Sequence, residues 1–262
     1  MTHPHPGKFI VFDGLDGIGK GEGLVGIKEY LVETKQPRIL DLEAYWFEMH
    51  NHPDFENELI DGKPNPYYLD LSKFDLILSA EPTFVGVGMN IREEITAKNG
   101  REYSAQIAAQ GFSLDRLILY QRVILPALAA GVDVLQSRSV STSIVYQPLQ
   151  SLFEGRDKLS VKDILSLEGN ILALENAPDL LGIPTIESAK TVMTRLEKRS
   201  KSDNSQYENV DFQIKLKPHY EGKVLRDIFE GAGTAVRYID AGISVESTRE
   251  QAVKIYQDLF EK

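Results

Sequence analysis

The chain has 262 residues, 42% of them hydrophobic and 26% charged. This is ordinary globular usage, which excludes a disordered, collagen-like or fibrous protein and fits one large α/β unit with an elaboration better than two equal domains. Its 39 acidic and 29 basic residues leave a formal charge of −10, which argues against a broad nucleic-acid-binding face while leaving room for a local cationic pocket.

Cysteine is absent, so disulfides, thiolate metal sites and cysteine nucleophiles are excluded. No apolar run reaches the ~20 residues of a membrane span, and the opening MTHPHP has neither a basic nor an apolar signal region, so a cytoplasmic protein is expected. The paired histidines His3 and His5, and His50 and His52, read as terminus and solvated-loop residues, because no third metal ligand lies in sequence reach.

At 8–13 the apolar run KFIVFD meets glycines at once, and 24–32 then shows helical spacing, which predicts strand, turn, helix. After RILD at 38–41 comes a stretch rich in aromatics, acids and prolines, 43–73, with little periodicity. It reads as a surface insertion whose aromatics Tyr45, Trp46, Phe47, Tyr67 and Tyr68 pack it down. Further strands are expected at 75–79, 132–136, 180–186 and 235–239, separated by helical patterns at 91–96, 104–130, 161–175 and 245–260. The alternation predicts βαβ units and a mostly parallel sheet flanked by helices, with ligands at the C-terminal ends of its strands. The polar stretch 198–209 reads as either a plain loop or a lid.

GLDGIGK at 14–20 fits G-x-x-x-x-G-K directly after a strand and before a helix, where backbone N–H groups can wrap a polyphosphate and the lysine can reach its terminal phosphates. Gly14, Gly17, Gly19, Lys20, Gly21 and Glu22 are the ATP-binding candidates. Position 21 is glycine, where the motif wants a Ser or Thr hydroxyl for Mg²⁺. No guanine-reading Asn-Lys-x-Asp is present, which removes the signalling GTPases. Phe112 and Arg116, four apart on a predicted helix, share a face, so one ring could cover a base plane while the guanidinium meets its edge; core packing for Phe112 and a surface place for Arg116 is the plainer alternative.

With these motifs placed, the chain resembles the thymidylate kinase family from its first strand to its last helix, the 43–73 insertion apart. FIVFDGLDGIGK at 9–20 looks like that family's opening strand and loop, including Asp16, which the family uses near the transferring phosphate. AEP at 80–82 stands where the family has Arg-Glu-Pro, so the acceptor-phosphate arginine is missing at Ala80. FSLDR at 112–116 matches the Phe-x-x-x-Arg that stacks on thymine and bonds the base. PALAAG at 126–131, then a strand, then Ser137 and Arg138, resembles the segment whose arginine grips the acceptor phosphate, with Ser137 replacing a metal-organising aspartate.

Thr142 and Tyr146 would lie near the acceptor base or sugar. A lid at about 189–209 would supply Arg199, or Arg195, to the transferring phosphoryl group, and 238–241 would lie where adenine packs. Arg92 and Glu81 are the candidate compensations, Arg92 for the absent acceptor cation and Glu81, like Glu22, for a water-mediated metal contact.

The resemblance implies a single three-layer P-loop kinase domain that uses Mg²⁺ with ATP to phosphorylate dTMP or a related pyrimidine monophosphate, with no nucleic-acid or membrane partner. A homodimer through helices is also implied, the apolar 117–128 stretch taking part. A catalytically degenerate, nucleotide-binding regulatory module is the alternative. Retention of Lys20, Phe112, Arg116, Arg138 and a basic lid favours the kinase, because a protein relieved of catalysis has no need of a base-reading pair.

Overall fold

FIVF forms strand β1 (Phe9–Phe12) and is buried at every residue, as a strand covered on both faces must be. The computed structural model describes residues 3–155, 158–187, 207 and 210–261. The other strands among them are β2 (Ile39–Asp41), β3 (Leu59–Ile60), β4 (Lys63–Pro64), β5 (Leu76–Ala80), β6 (Asp133–Ser137), β7 (Leu180–Thr185) and β8 (Ala235–Asp240). Six of these make one sheet in the order β2-β5-β6-β1-β7-β8, with every pairing parallel, while β3 and β4 form a separate antiparallel hairpin. Because β1 lies between β6 and β7, successive strands build outward on its two sides. The C-terminal edge at β1 is therefore the switch point where such sheets bind ligands.

Along β1, Phe9 and Val11 join the larger core cluster while Ile10 and Phe12 join a second one on the opposite face. The second face is covered by α1 (Lys20–Lys35) and the C-terminal helix Val245–Phe260. The larger core gathers α2 (Leu42–Met49), α4 (Ala105–Leu119), α5 (Leu125–Ala129), α6 (Val140–Glu154), α7 (Val161–Leu165) and α8 (Glu168–Glu175), then α9 (Val210–Tyr220) and α10 (Lys223–Gly231), while α3 (Gly86–Asn90) sends Val87 to a small cluster with Ile91, Ala108 and Phe112. The last helix is thus α11. The result is the three-layer α/β arrangement that the alternating pattern predicts.

Differences from the sequence expectation have local causes. The helix expected at 161–175 is two, broken at Ser166 and Leu167, with Ser160 and Asp163 forming a capping box at its start. Helix α6 escapes an amphipathic pattern because all of its first eight residues are buried, leaving no polar stripe to read. The insertion carries α2 and the hairpin, and inside it Trp46 is fully buried while Phe47 stays 55% exposed. In the apolar stretch 117–128, Leu119, Tyr120, Val123, Ile124, Ala127 and Leu128 lie in the chain's own core, while Leu117, Ile118 and Leu125 are half-buried. His3 and His52 are buried rather than solvated, His3 against Asp179 at 3.2 Å and His52 edge-on to Trp46.

Burial, reinforced by the Arg122 guanidinium, pushes the His52 imidazole down to about 4. The unfolded chain, with an ordinary histidine, then binds more protons than the folded one between pH 6.5 and 4, so stability falls as the pH drops through that window. In urea titrations the stability of wild type relative to His52→Phe should decline by about 1.5 kcal/mol between pH 6.5 and 5; parallel pH curves for the two proteins would refute this.

Candidate active site

The phosphate loop begins where β1 ends. Asp13, fully buried, takes a 2.7 Å hydrogen bond from the Gly14 N–H. Gly17 and Gly19 have φ of 77° and 94°, backbone values that side chains with a Cβ rarely adopt. They turn the chain so that Lys20 opens α1 with the helix's unpaired N–H groups facing the loop.

Asp16 is the hub of the site. Its Oδ1 accepts from Lys20 Nζ at 3.1 Å and from the Arg138 guanidinium, and its Oδ2 accepts from Tyr146 at 3.0 Å and Gln213 Nε2 at 3.2 Å. The Asp16 N–H in turn donates to Gln213 Oε1 at 3.0 Å. Burial pushes the Asp16 carboxyl up, but the charges of Arg138 and Lys20 outweigh it and hold the group well below the usual carboxylate range. Lys20 is lowered by burial and by Arg138, against the opposing pull of Asp16 and Asp13.

Arg138 follows β6, and its N–H bonds the Phe12 carbonyl at 2.9 Å, so it stands beside the loop at the sheet's switch point. Its φ of 67° is left-handed, which costs a non-glycine residue on the order of 1–2 kcal/mol and is the kind of strain that clusters at functional sites. The guanidinium lies 3.9 Å from Asp13 Oδ1 and 3.5 Å from Thr142 Oγ1, with the Tyr146 ring 5.7 Å away. Ser141 and Thr142, in the first turn of α6, donate to Asp13 Oδ2 at 2.5 and 2.6 Å, and Tyr220 of α9 donates to Oδ1 at 3.2 Å. Lys20, Asp16, Arg138, Thr142 and Tyr146 therefore meet in one cluster.

Other sequence candidates lie elsewhere or are otherwise engaged. Phe112 is 7% exposed and packs with Ile91 and Ala108. Arg116 is 1% exposed, bonding Glu81 at 2.6 and 2.8 Å, Ser143 at 3.3 Å and the Asn170 side-chain carbonyl. Buried carboxylates need a countercharge: burial pushes Glu81 up to about 7, and Arg116 is the cation that opposes this. Arg116 thus closes a buried ion pair where a base-reading group was expected, and Glu81, with Gln136 on its second oxygen at 3.1 Å, is not open to a metal. Glu22 is paired to Arg249 at 2.7 Å. Arg92 bonds the carbonyls of Pro82 and Thr83 and covers the Phe84 ring instead of filling the place of the arginine absent at Ala80.

Gly21 sits in the first turn of α1, and a Cβ there would meet nothing within 4 Å. Arg195 and Arg199 lie outside the described residues. At the C-terminal ends of β7 and β8 a hollow of about 820 Å³ is lined by Ile186, Lys217, Tyr238, Asp240 and Ile243 among others, beside the 238–241 segment. Asp13, Ser141, Gln213 and Tyr220 are site residues that sequence reasoning did not single out as such. Asp13 could have been found from its place between strand and loop, whereas Gln213 is 197 residues from its partner Asp16, with no local signal.

Comparison with known proteins places the chain in a family. The family profile for thymidylate kinase matches residues 68–252, a span that begins after the phosphate loop. The chain is similar to the thymidylate kinase of Caldicellulosiruptor saccharolyticus, 26% identical over 257 residues and 98% of each chain. It is also similar to the probable thymidylate kinase of Pyrococcus abyssi, 25% identical over 95% of each. In fold it resembles the thymidylate kinase from Candida albicans, with a TM-score of 0.63 and 18% identity over 97% of this chain and 92% of that one. With the profile matching well over half its length, the chain belongs to the thymidylate kinase family.

Proposed function

We propose that this protein transfers the γ-phosphate of ATP to dTMP, giving dTDP and ADP. The observation that carries the reading is the convergence of Lys20, Asp16 and Arg138 at the switch point of the sheet, in a chain of this family. An oxygen of the acceptor phosphate attacks the γ-phosphorus as the bond to the β,γ-bridging oxygen breaks, so the protein's task is alignment and charge stabilisation.

Amides of the loop at Gly17, Gly19 and Gly21 would wrap the triphosphate, with Gly14 turning the chain into the loop and Lys20 at the terminal phosphates. Arg138 would grip the acceptor phosphate through its planar fork. Thr142, Tyr146 and Phe112 would border the acceptor base or sugar, and the hollow beside Tyr238 would take the adenine. Arg199, or Arg195, is the candidate for stabilising the transferring group, from a lid at about 189–209. In the free protein Asp16 occupies both cations. Phosphates arriving on either side would compete with this carboxylate for Lys20 and Arg138.

Mg²⁺ would enter with ATP rather than sit in a protein cage. No group of three or more His, Cys, Asp or Glu among the described residues could hold a metal, Gly21 has no hydroxyl, and Mg²⁺ in such sites keeps mostly phosphate and water ligands. When bound, it neutralises charge on the β- and γ-phosphates. The same reading treats the chain as one kinase unit in the cytoplasm, and as a homodimer joined through α4, where Ile107 and Leu114, seven residues apart on one face, are each 49% exposed.

A coupled ADP-release assay should show ATP turnover that depends on dTMP, and Lys20→Ala should lower kcat/KM by about 100-fold or more with the circular dichroism unchanged; ADP release indifferent to dTMP would defeat the reading. Gly21→Thr should fit without strain and restore a hydroxyl near the metal, lowering the Mg²⁺ concentration for half-maximal rate several-fold, so an unchanged Mg²⁺ dependence would count against a metal role at position 21. In sedimentation the protein should run at about twice its 29.4 kDa chain mass, and Leu114→Glu should halve that value; a wild-type monomer would exclude the dimer.

A further inference from the structure

The 43–73 insertion takes no part in the reaction as described so far, yet its first helix reaches the acceptor side of the cleft. After β5 the chain runs through 81–85, a loop tied beside the site at its start and to α4 at its middle. The Glu81 N–H bonds the carbonyl of Ser137, next to Arg138, at 2.9 Å, and Thr83 holds Asp115 through its N–H at 2.8 Å and its hydroxyl at 2.7 Å. Phe84 leaves this loop half-buried and is held between two elements. On one side the Arg92 guanidinium lies 3.6 Å from its ring centroid while bonding the Pro82 and Thr83 carbonyls at 3.1 Å. On the other, α2 brings the Phe47 ring to 5.3 Å and the Trp46 ring to 6.3 Å.

Trp46 is fully buried and accounts for its own presence by packing in the core. Phe47 does not, since it is 55% exposed and its ring packs against that of Phe84. A large exposed aromatic contributes little to folding, whereas an aromatic pair beyond its buried area is worth ~0.5–1.5 kcal/mol, enough to bias the position of a loop that carries no regular structure of its own. Removing the ring would let Phe84 and Arg92 move, and with them the two carbonyls that Arg92 holds.

We propose that Phe47 is a positioning residue for the acceptor nucleotide: through Phe84 and Arg92 it sets the 81–85 loop, and the insertion is thereby a wall of the acceptor site. This rests on the dTMP kinase reading for the identity of the acceptor, but not for the coupling itself. Phe47 need not touch the nucleotide.

Trp46 is the single tryptophan and packs on the same ring, so its emission reports on this loop without any turnover. Titrating dTMP alone into the protein should shift Trp46 emission, and Phe47→Ala should weaken the apparent dTMP affinity roughly 3- to 10-fold. In steady state the same variant should raise the KM for dTMP by a similar factor while the KM for ATP stays within about twofold. Phe47→Tyr should recover most of the loss, and Leu59→Ala, at an equally exposed apolar position on the hairpin, should behave as wild type. Emission that responds to dTMP in a protein that transfers no phosphate to it would sink the proposed reaction and keep the coupling. The coupling is overturned if Phe47→Ala binds dTMP as tightly as wild type, if it raises both KM values equally, or if wild-type emission does not respond to dTMP.

Discussion

The active-site cluster is organised around one carboxylate. Asp16 sits on the phosphate loop and draws together a lysine from the first helix, an arginine from the end of β6, a tyrosine from α6 and a glutamine from α9. Two cations brought this close in a buried setting repel one another, and removing a shared anion from such an arrangement typically costs 3–5 kcal/mol. The carboxylate therefore both requires the loop and justifies it. In the proposed reaction nucleotide phosphates would supply the same charge in the same place, one anion exchanging for another.

Behind Asp16 stands a second layer that works on the same logic. Asp13 is fully buried, and its oxygens are taken by the Gly14 amide and by the hydroxyls of Ser141, Thr142 and Tyr220. These donors fasten α6 and α9 to the end of β1, which explains why a helix as rich in hydroxyls as α6 can be buried on nearly every side. Fully satisfied polar networks of this kind favour one arrangement over others. Among the family's expected groups, Gly21, Ala80 and Ser137 are the departures. Two of them face each other across the β5–β6 ladder, since Ala80 ends its strand opposite Ser137.

Local signals carried much of this and missed what depends on distance. The strand, loop and helix at 9–35 are readable because burial on both faces makes FIVF uniformly apolar and the following turn requires glycine. The last helix is equally legible, being amphipathic and capped by Ser244. By contrast, α6 has no polar stripe and α2 lies inside a stretch without periodicity. Arg116 illustrates the deeper limit. Its spacing from Phe112 correctly implies a shared helix face, but its partner Glu81 lies 35 residues away, and only the folded chain shows that the guanidinium is occupied by that acid. Lys20 and Arg138, both tied to backbone features of strand ends, fall where the pattern of glycines and strands puts them.

The strand made first occupies the middle of the sheet. Phe9 aligns with Val134 and Ile10 with Leu180, so β1 leaves the ribosome about 125 residues before its first neighbour exists and roughly 170 before its second. During that interval an apolar segment with high β-propensity has no native cover, the condition under which nascent chains associate wrongly or recruit chaperones. Synthesis in this order completes the proposed nucleotide cleft late: the loop after β1 gains its floor only when β7 arrives, roughly 170 residues on.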